Sequence, residues 1–300
     1  MTGPDRTYSS AMVEGARWSR VRLRPGDIVV STPPKAGTTW MQNIILHLIF
    51  QDLQVRDIPA YSPYVELRPR PFEEIEATIE AQTHRRCLKS HMPADGHRIS
   101  PDVCYVIVAR DPRDVFMSLW NFYCSFEDMF FEQPADPEFD PLPRPPETLA
   151  GFWDMWIGKG NFPWETEGYP FGSCFHHLQT WWQLKDRPNI LFVHFADLLQ
   201  DLSGEIARID GFLGTGCSEE MQAQIAGMVN FKSMKRAAAQ IDTAAEETLK
   251  GGAQSFINKG TNGRWKGVLS ARQLAQYDAI LQERLSPNLG FWLENGGPLP

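Results

Sequence analysis

The sequence predicts a single α/β domain with a central parallel β-sheet flanked by helices on both faces. Short β-branched apolar runs, each closed by a turn and followed by an amphipathic stretch, carry that prediction. Composition supports it: 42% of residues are apolar and 22% charged, an ordinary globular balance. No internal repeat is visible. Strand and helix patterns of similar composition resume after every irregular stretch, so residues 1–300 read as one domain. A chain of 300 residues buries about three quarters of its unfolded surface and needs no metal or disulfide staple.

The elements follow in order. The run from Asp27 to Thr32 is a buried strand, ended by Pro33-Pro34, and Thr38 to Phe50 reads as the helix after it. Arg86 to Ser90 is a second short strand. Cys104 to Ala109 is the strongest strand of the chain, and Asp111-Pro112 supplies an N-cap and an N1 proline for a helix to about Tyr123. Asn189 to Val193 is a fourth strand, with a helix from Gly204 to Leu213. Two segments break the rhythm. Residues 133–146 hold six prolines and exclude regular structure, and residues 237–254 are rich in Ala, Glu and Gly with little to bury. Each reads as a lid over a site or as a surface loop.

A net charge of −8 makes the chain a poor general binder of nucleic acid or anionic membrane, yet leaves room for a local basic pocket. Five cysteines, an odd number without a CxxC pair, point to no disulfide framework and no structural zinc. The N-terminus lacks the basic start and apolar core of a secretory signal. The most apolar stretch, Ile44 to Phe50, contains His47 and is too short for a transmembrane segment. A cytoplasmic, reduced, soluble protein is the expectation.

The most informative stretch is Ser31-Thr-Pro-Pro-Lys-Ala-Gly-Thr-Thr-Trp40, between a strand and a helix. Amides freed at a helix start converge on an anion. Lys35 adds charge, Gly37 permits close approach, and Thr38 and Thr39 offer hydroxyls. This is P-loop-like, but GxxxxGK[ST] places its lysine after the last glycine, whereas Lys35 comes two residues before Gly37. Taken alone, the stretch reads equally as a turn with a solvated lysine.

Four motifs in order settle that choice by resemblance. The loop resembles the TYPKSGTTW 5′-phosphosulfate loop of the cytosolic-type sulfotransferases, with Pro33 for Tyr and Ala36 for Ser. Lys89-Ser-His-Met-Pro93 is similar to the family's K-[ST]-H-x-P. The run from Val106 through Arg110 to Ser118 is similar to its 3′-phosphate element, and Asn258-Lys-Gly260-Thr-Asn-Gly263-Arg-Trp265-Lys266 to its RKGxxGxWK. Weaker matches lie at Trp181-Trp182, from Asn189 to Leu198, and from Phe231 to Lys235. The resemblance spans about residues 26–266.

The resemblance implies a sulfotransferase that moves a sulfuryl group from 3′-phosphoadenosine 5′-phosphosulfate (PAPS) to a hydroxyl or amine, with no metal required. Charge developing on the leaving phosphate calls for a fixed cation and amides, which Lys35 and the run Ala36, Gly37, Thr38 and Thr39 supply. His91 is implied as the general base, with Lys89 stabilising the bridging oxygen or holding His91 neutral by charge repulsion. Arg110 and Ser118 are implied on the 3′-phosphate, with Lys259 and the Gly260 amide closing the other side. Trp40, Phe195, Phe231 and Met234 are implied around the adenine, although Trp40 and Met234 also read as core. Arg113 and Asp114 read as a surface ion pair, and His176-His177 as structural residues.

Asn258 replaces the family's arginine, removing a charge-assisted contact of about 1.5–3 kcal/mol. Phe195 replaces its tyrosine and Val229 its threonine. The dimer signature KxxxTVxxxE is poorly kept, with Lys266 and Ser270 but Ala275 at the acidic position, so the sequence leaves the oligomeric state open.

From Trp120 to Trp182 the chain is dense in aromatics: some are core, and others are expected to wall an apolar acceptor pocket for a phenol, alcohol or glycolipid. Two rival readings remain: a nucleotide kinase or NTPase-like phosphotransferase, which needs GK[ST] order, and a non-catalytic nucleotide-binding relative.

Overall fold

The computed structural model describes residues 4–132, 138–241, 249–250 and 259–300. Four strands, β1 Ile28–Ser31, β2 Cys87–Ser90, β3 Cys104–Ala109 and β4 Ile190–His194, form one sheet in the order β2-β1-β3-β4. Every pairing is parallel, as the alternating strand and helix pattern predicts.

The described helices are α1 Thr38–Phe50, α2 Ile58–Tyr61, α3 Phe72–Glu80, α4 Pro112–Cys124, α5 Leu149–Gly158, α6 Cys174–Trp182, α7 Phe195–Gln200, α8 Leu202–Leu213, α9 Glu219–Val229, α10 Phe231–Ile241, α11 Ala271–Arg284 and α12 Pro287–Asn295. Strand periodicity divides the core into two faces. Val29, Tyr105, Ile107 and Phe192 pack toward α4, α5, α6, α11 and α12. Ile28, Val30, Val106, Val108 and Val193 pack toward α1 and α7 to α10. No described helix is long and apolar enough to cross a membrane.

The expected boundaries differ by a residue or two where caps decide them. Asp111 accepts the N–H of Arg113 and starts α4 at Pro112. Asp201 accepts the N–H of Gly204, so α8 begins at Leu202, two residues before the glycine. His194 ends β4 and caps α7 by accepting the N–H of Ala196. The six-proline stretch and residues 237–254 lie partly outside the described residues.

The sheet order sets the position of the site. β1 is central; the chain leaves it toward β2 on one side and returns to β3 on the other. Adjacent strands whose connections leave in opposite directions open a crevice at their carboxyl ends. The loop after β1, the residues after β2 and Arg110 after β3 all converge there.

Candidate active site

One cavity of about 450 Å³ occupies this crevice. It is lined by Lys35, Gly37, Thr38, Thr39, Trp40, Lys89, His91, Arg110, Ser118, Phe195, Phe231, Met234, Lys259 and Gly260. The structure thus gathers fourteen sequence-predicted residues, eleven from the four motifs and three from the weaker matches, on one surface.

The loop from Thr32 to Gly37 turns sharply into α1. Lys35 and Gly37 have φ values of 68° and 115°. Gly37 has a second constraint, because a Cβ there would lie 2.9 Å from Cδ2 of Phe195. Beyond it, the first amides of α1 lack intrahelical acceptors and point with the positive end of the helix dipole. The hydroxyls of Thr32 and Thr38 bond at 2.6 Å and brace the loop across its mouth. Ala36 departs from the expected cradle: it is fully buried, and its N–H donates to the carbonyl of Pro33 at 3.2 Å. The free amides of the loop therefore begin after it.

Three cations surround this helix terminus. Burial, then Lys89, then Arg110 push the Lys35 ammonium down to about 7. Its Nζ sits 4.3 Å from the ring centre of Phe122. Arg110 is 5% exposed and follows β3 directly. Its guanidinium donates to the carbonyl of Thr261 at 2.9 Å and to that of Lys35 at 3.3 Å, and lies 4.0 Å from the ring centre of Phe195. Burial pulls Arg110 down to about 10. Three buried cations gathered at a helix N-terminus are complementary to a polyanion.

His91 is held at both ends. Its N–H donates to Oε1 of Glu66 at 2.6 Å. Its ring Nδ1 lies 2.8 Å from the carbonyl oxygen of Thr32. A carbonyl only accepts, so Nδ1 carries the proton and Nε2 keeps its lone pair. Burial first, and the charge of Lys89 second, hold His91 well below the ordinary histidine range. Lys89 is itself pushed down to about 8 by burial, against a counter-pull from Glu66.

Tyr64 and Glu66 escaped the sequence reading. Segment 63–66 docks beside β2 through a bridge between Tyr64 and Lys89. The Tyr64 ring lies 4.3 Å from the Lys89 ammonium and edge-on to His91 at 4.9 Å. Glu66 is fully buried and also accepts Ser90 Oγ and Trp18 Nε1, each at 2.8 Å. The only sequence signal was an acid just after a Pro-Tyr-Val run, which carries no direction.

The far wall holds the aromatic candidates. Trp40 is 6% exposed and meets Phe195 edge-on at 5.2 Å. Its Nε1 has no partner among the described residues. Trp40 and Met234 join the core and also line the cavity. Gly260, at φ 62°, presses on Phe231 so closely that any Cβ would overlap the ring. Asn258 lies outside the described residues.

The Arg113–Asp114 surface pair is corrected. Asp114 is 1% exposed and accepts the N–H groups of Gly263 at 2.8 Å and Arg264 at 2.9 Å. Arg113 pairs instead with Asp111 at 2.9 Å and Glu294 at 2.7 Å. Two adjacent helical residues do not face each other, so each found other partners: Arg113 the N-cap Asp111 and distant Glu294, and Asp114 the distant Gly263 and Arg264. Asp114 thereby ties the loop bearing Lys259 and Gly260 to α4.

Of the aromatic-rich stretch, Phe122, Phe126, Phe130, Phe162 and Phe171 line the cavity. Tyr123, Phe152, Trp153 and Trp156 are fully buried core. Tyr8, Met12 and Val13 of the N-terminal segment complete the wall. His177 bonds Ser31 Oγ at 2.8 Å and His176 faces Asp95 at 3.2 Å, so the two rings have separate structural partners.

Residues 25–288 match the family model described as sulfotransferase domain. A glycolipid sulfotransferase of Mycobacterium bovis is 30% identical over 96% of this chain and 94% of its own length. Rat sulfotransferase 1A1 is 30% identical over 85% of this chain and 83% of its own. Among solved structures, mouse sulfotransferase SULT7A1 complexed with PAP superposes with a TM-score of 0.70 at 21% identity, covering 95% of this chain and 93% of its own.

Proposed function

The chain belongs to the sulfotransferase family, and we propose that its crevice passes the sulfuryl group of PAPS to a hydroxyl of an apolar, glycolipid-like acceptor, with His91 as general base. Membership carries the reaction class, PAPS-dependent sulfuryl transfer. The residue roles and the acceptor are the proposal.

The observation that carries it is the bond between His91 Nδ1 and the Thr32 carbonyl. It leaves Nε2 as the proton acceptor at a cavity-lining position. In the step, the acceptor oxygen forms a bond to sulfur and its proton passes to Nε2. The bond between sulfur and the phosphate oxygen breaks, and the electron pair leaves with the 5′-phosphate. Lys35 and the amides of Gly37, Thr38 and Thr39 stabilise that charge. Lys89 keeps the imidazole neutral and adds a second cation near the transferred group.

Arg110, Ser118, Lys259 and Gly260 hold the 3′-phosphate, with Asp114 fixing their loop. Trp40, Phe195, Phe231 and Met234 enclose the adenine. Tight passage of backbone at Gly37 and Gly260 supports this fit, since a side chain at either place would strike Phe195 or Phe231, two of the rings placed around the adenine. The five cavity-lining phenylalanines and the glycolipid-directed relative support an apolar acceptor. The two donor-side clamps rise from a single sheet, which supports reading the chain as one domain.

Calorimetry with 3′-phosphoadenosine 5′-phosphate (PAP) and with ADP, each with and without Mg²⁺, tests the donor side. Tighter binding of PAP without dependence on Mg²⁺ is the expected result, and a preference for ADP with Mg²⁺ contradicts it. A panel of phenols, sterols and glycolipids assayed with radiolabelled PAPS tests the acceptor side.

A further inference from the structure

Two buried carboxylates, Glu165 and Glu167, bond into the loop that borders the cavity, and Glu167 accepts from Ser173 Oγ. Glu165 is 9% exposed and lines the cavity among aromatic rings. Its Oε2 accepts the N–H groups of Asn161 at 3.1 Å and Phe162 at 3.3 Å. Its Oε1 accepts the N–H of Ser173 at 3.1 Å. These amides stand at the two ends of a loop that carries Phe162 and Phe171, both facing the cavity.

The rest of the loop is tied elsewhere. Gly168 N–H donates to Trp156, Tyr169 N–H to Lys159 and Gly172 N–H to Gly168. Those bonds anchor the outer turn, whereas Glu165 joins the residues that face inward. Phe162 then meets Tyr8 edge-on at 4.8 Å, and Phe171 meets Tyr123 edge-on at 5.2 Å. Space inside the turn is exhausted, since a Cβ on Gly160 would overlap the Glu165 backbone. The carboxylate therefore holds two rings that touch different parts of the wall.

The geometry points to Glu165 as a positioning residue that sets the acceptor cavity, selecting apolar hydroxyl compounds that pack against both Phe162 and Phe171. The inference rests on reading this end of the crevice as the acceptor side. Burial pushes the carboxyl up to about 7, against the pull of the Ser173 and Asn161 amides. His176 lowers it and Glu167 raises it, and the Tyr8 hydroxyl faces the same charge. An ionised carboxylate accepts all three N–H groups; a neutral one surrenders an oxygen to its own proton. The clasp thus tightens as pH rises through about 7 and slackens below.

Glu165→Gln keeps the shape and removes the charge. Wild type and variant are titrated with 2-naphthol by fluorescence from pH 6 to 8, with PAP binding by calorimetry as the donor-side control and amide hydrogen exchange across 159–174. Wild-type naphthol affinity should rise by about tenfold with pH, while the variant binds weakly at every pH. Exchange at Asn161, Phe162 and Ser173 should quicken in the variant, and PAP affinity should stay within about twofold. An unchanged naphthol affinity and pH slope in the variant, or a wild type that binds PAP but no naphthol, overturns the inference. A wild type that binds no PAP instead sinks the reading of the crevice itself.

Discussion

The carbonyl oxygen of Thr32 sits 2.8 Å from Nδ1 of His91, joining the phosphate loop after β1 to the imidazole after β2. This one bond fixes the tautomer of the ring and couples the loop proposed to grip the donor to the orientation of the proposed base.

The imidazole stays neutral through burial and the charge of Lys89, in that order. The wild-type rate should therefore show no acid limb near pH 6.5 from this group. Lys89→Met removes the like charge, which raises the imidazole value, so an acid limb should move up toward neutrality in kcat. A limb that stays in place shows that Lys89 does not act on His91.

Lys35 is pushed down to about 7 in the free protein, and a bound phosphate favours its charged form. Binding of PAP at pH 8 should take up a proton at this site, and affinity should fall as pH rises above 7. Calorimetry in buffers of different ionisation enthalpy counts that proton. Lys35→Arg, always charged, should lose the uptake. Equal proton counts in both proteins would assign the uptake to another group.

Glu66 accepts from the His91 amide, Ser90 and the Trp18 indole. Gln cannot accept at both ends, so Glu66→Gln should lower kcat by about tenfold to a hundredfold with little change in PAP affinity. The lost anion also lets Lys89 drop further, which moves any basic limb in kcat to lower pH. A slower enzyme with an unmoved basic limb would reduce Glu66 to a packing role.

Gly37→Ala meets two obstacles, a φ of 115° and Phe195 at 2.9 Å. It should cost about 1–2 kcal/mol of stability and weaken PAP binding. Gly211→Ala is the control: it lies within α8 with nothing within 4 Å of its Cβ. There the exchange should stabilise by about 0.5–1 kcal/mol. Equal melting temperatures for the two variants would mean that Phe195 and the loop relax freely.

The parallel sheet and the phosphate loop were legible because their signals are local. Pro33-Pro34, Gly37 and the Asp111-Pro112 cap punctuate the chain where strands become helices. The catalytic candidates were legible because they stand in short motifs at strand ends. Glu66 and Tyr8 were not, since their partners come from other elements: Tyr8 reaches Asp95 at 87 residues' distance, and Glu66 reaches Trp18 at 48. Glu165 was not, because it bonds backbone amides of its own loop, which no side-chain pattern announces. Asp114 shows the same limit from the other side. Its neighbour Arg113 suggested a local pair, while its real partners lie 149 and 150 residues away.

The central claim is that His91 takes the acceptor proton in a crevice built to hold PAPS. Single-turnover transfer of radiolabelled sulfate, measured beside PAP affinity in wild type and His91→Ala, tests it most directly. The account predicts transfer slowed by at least about a hundredfold with PAP affinity unchanged. Transfer within about tenfold of wild type, at equal PAP affinity, would contradict it.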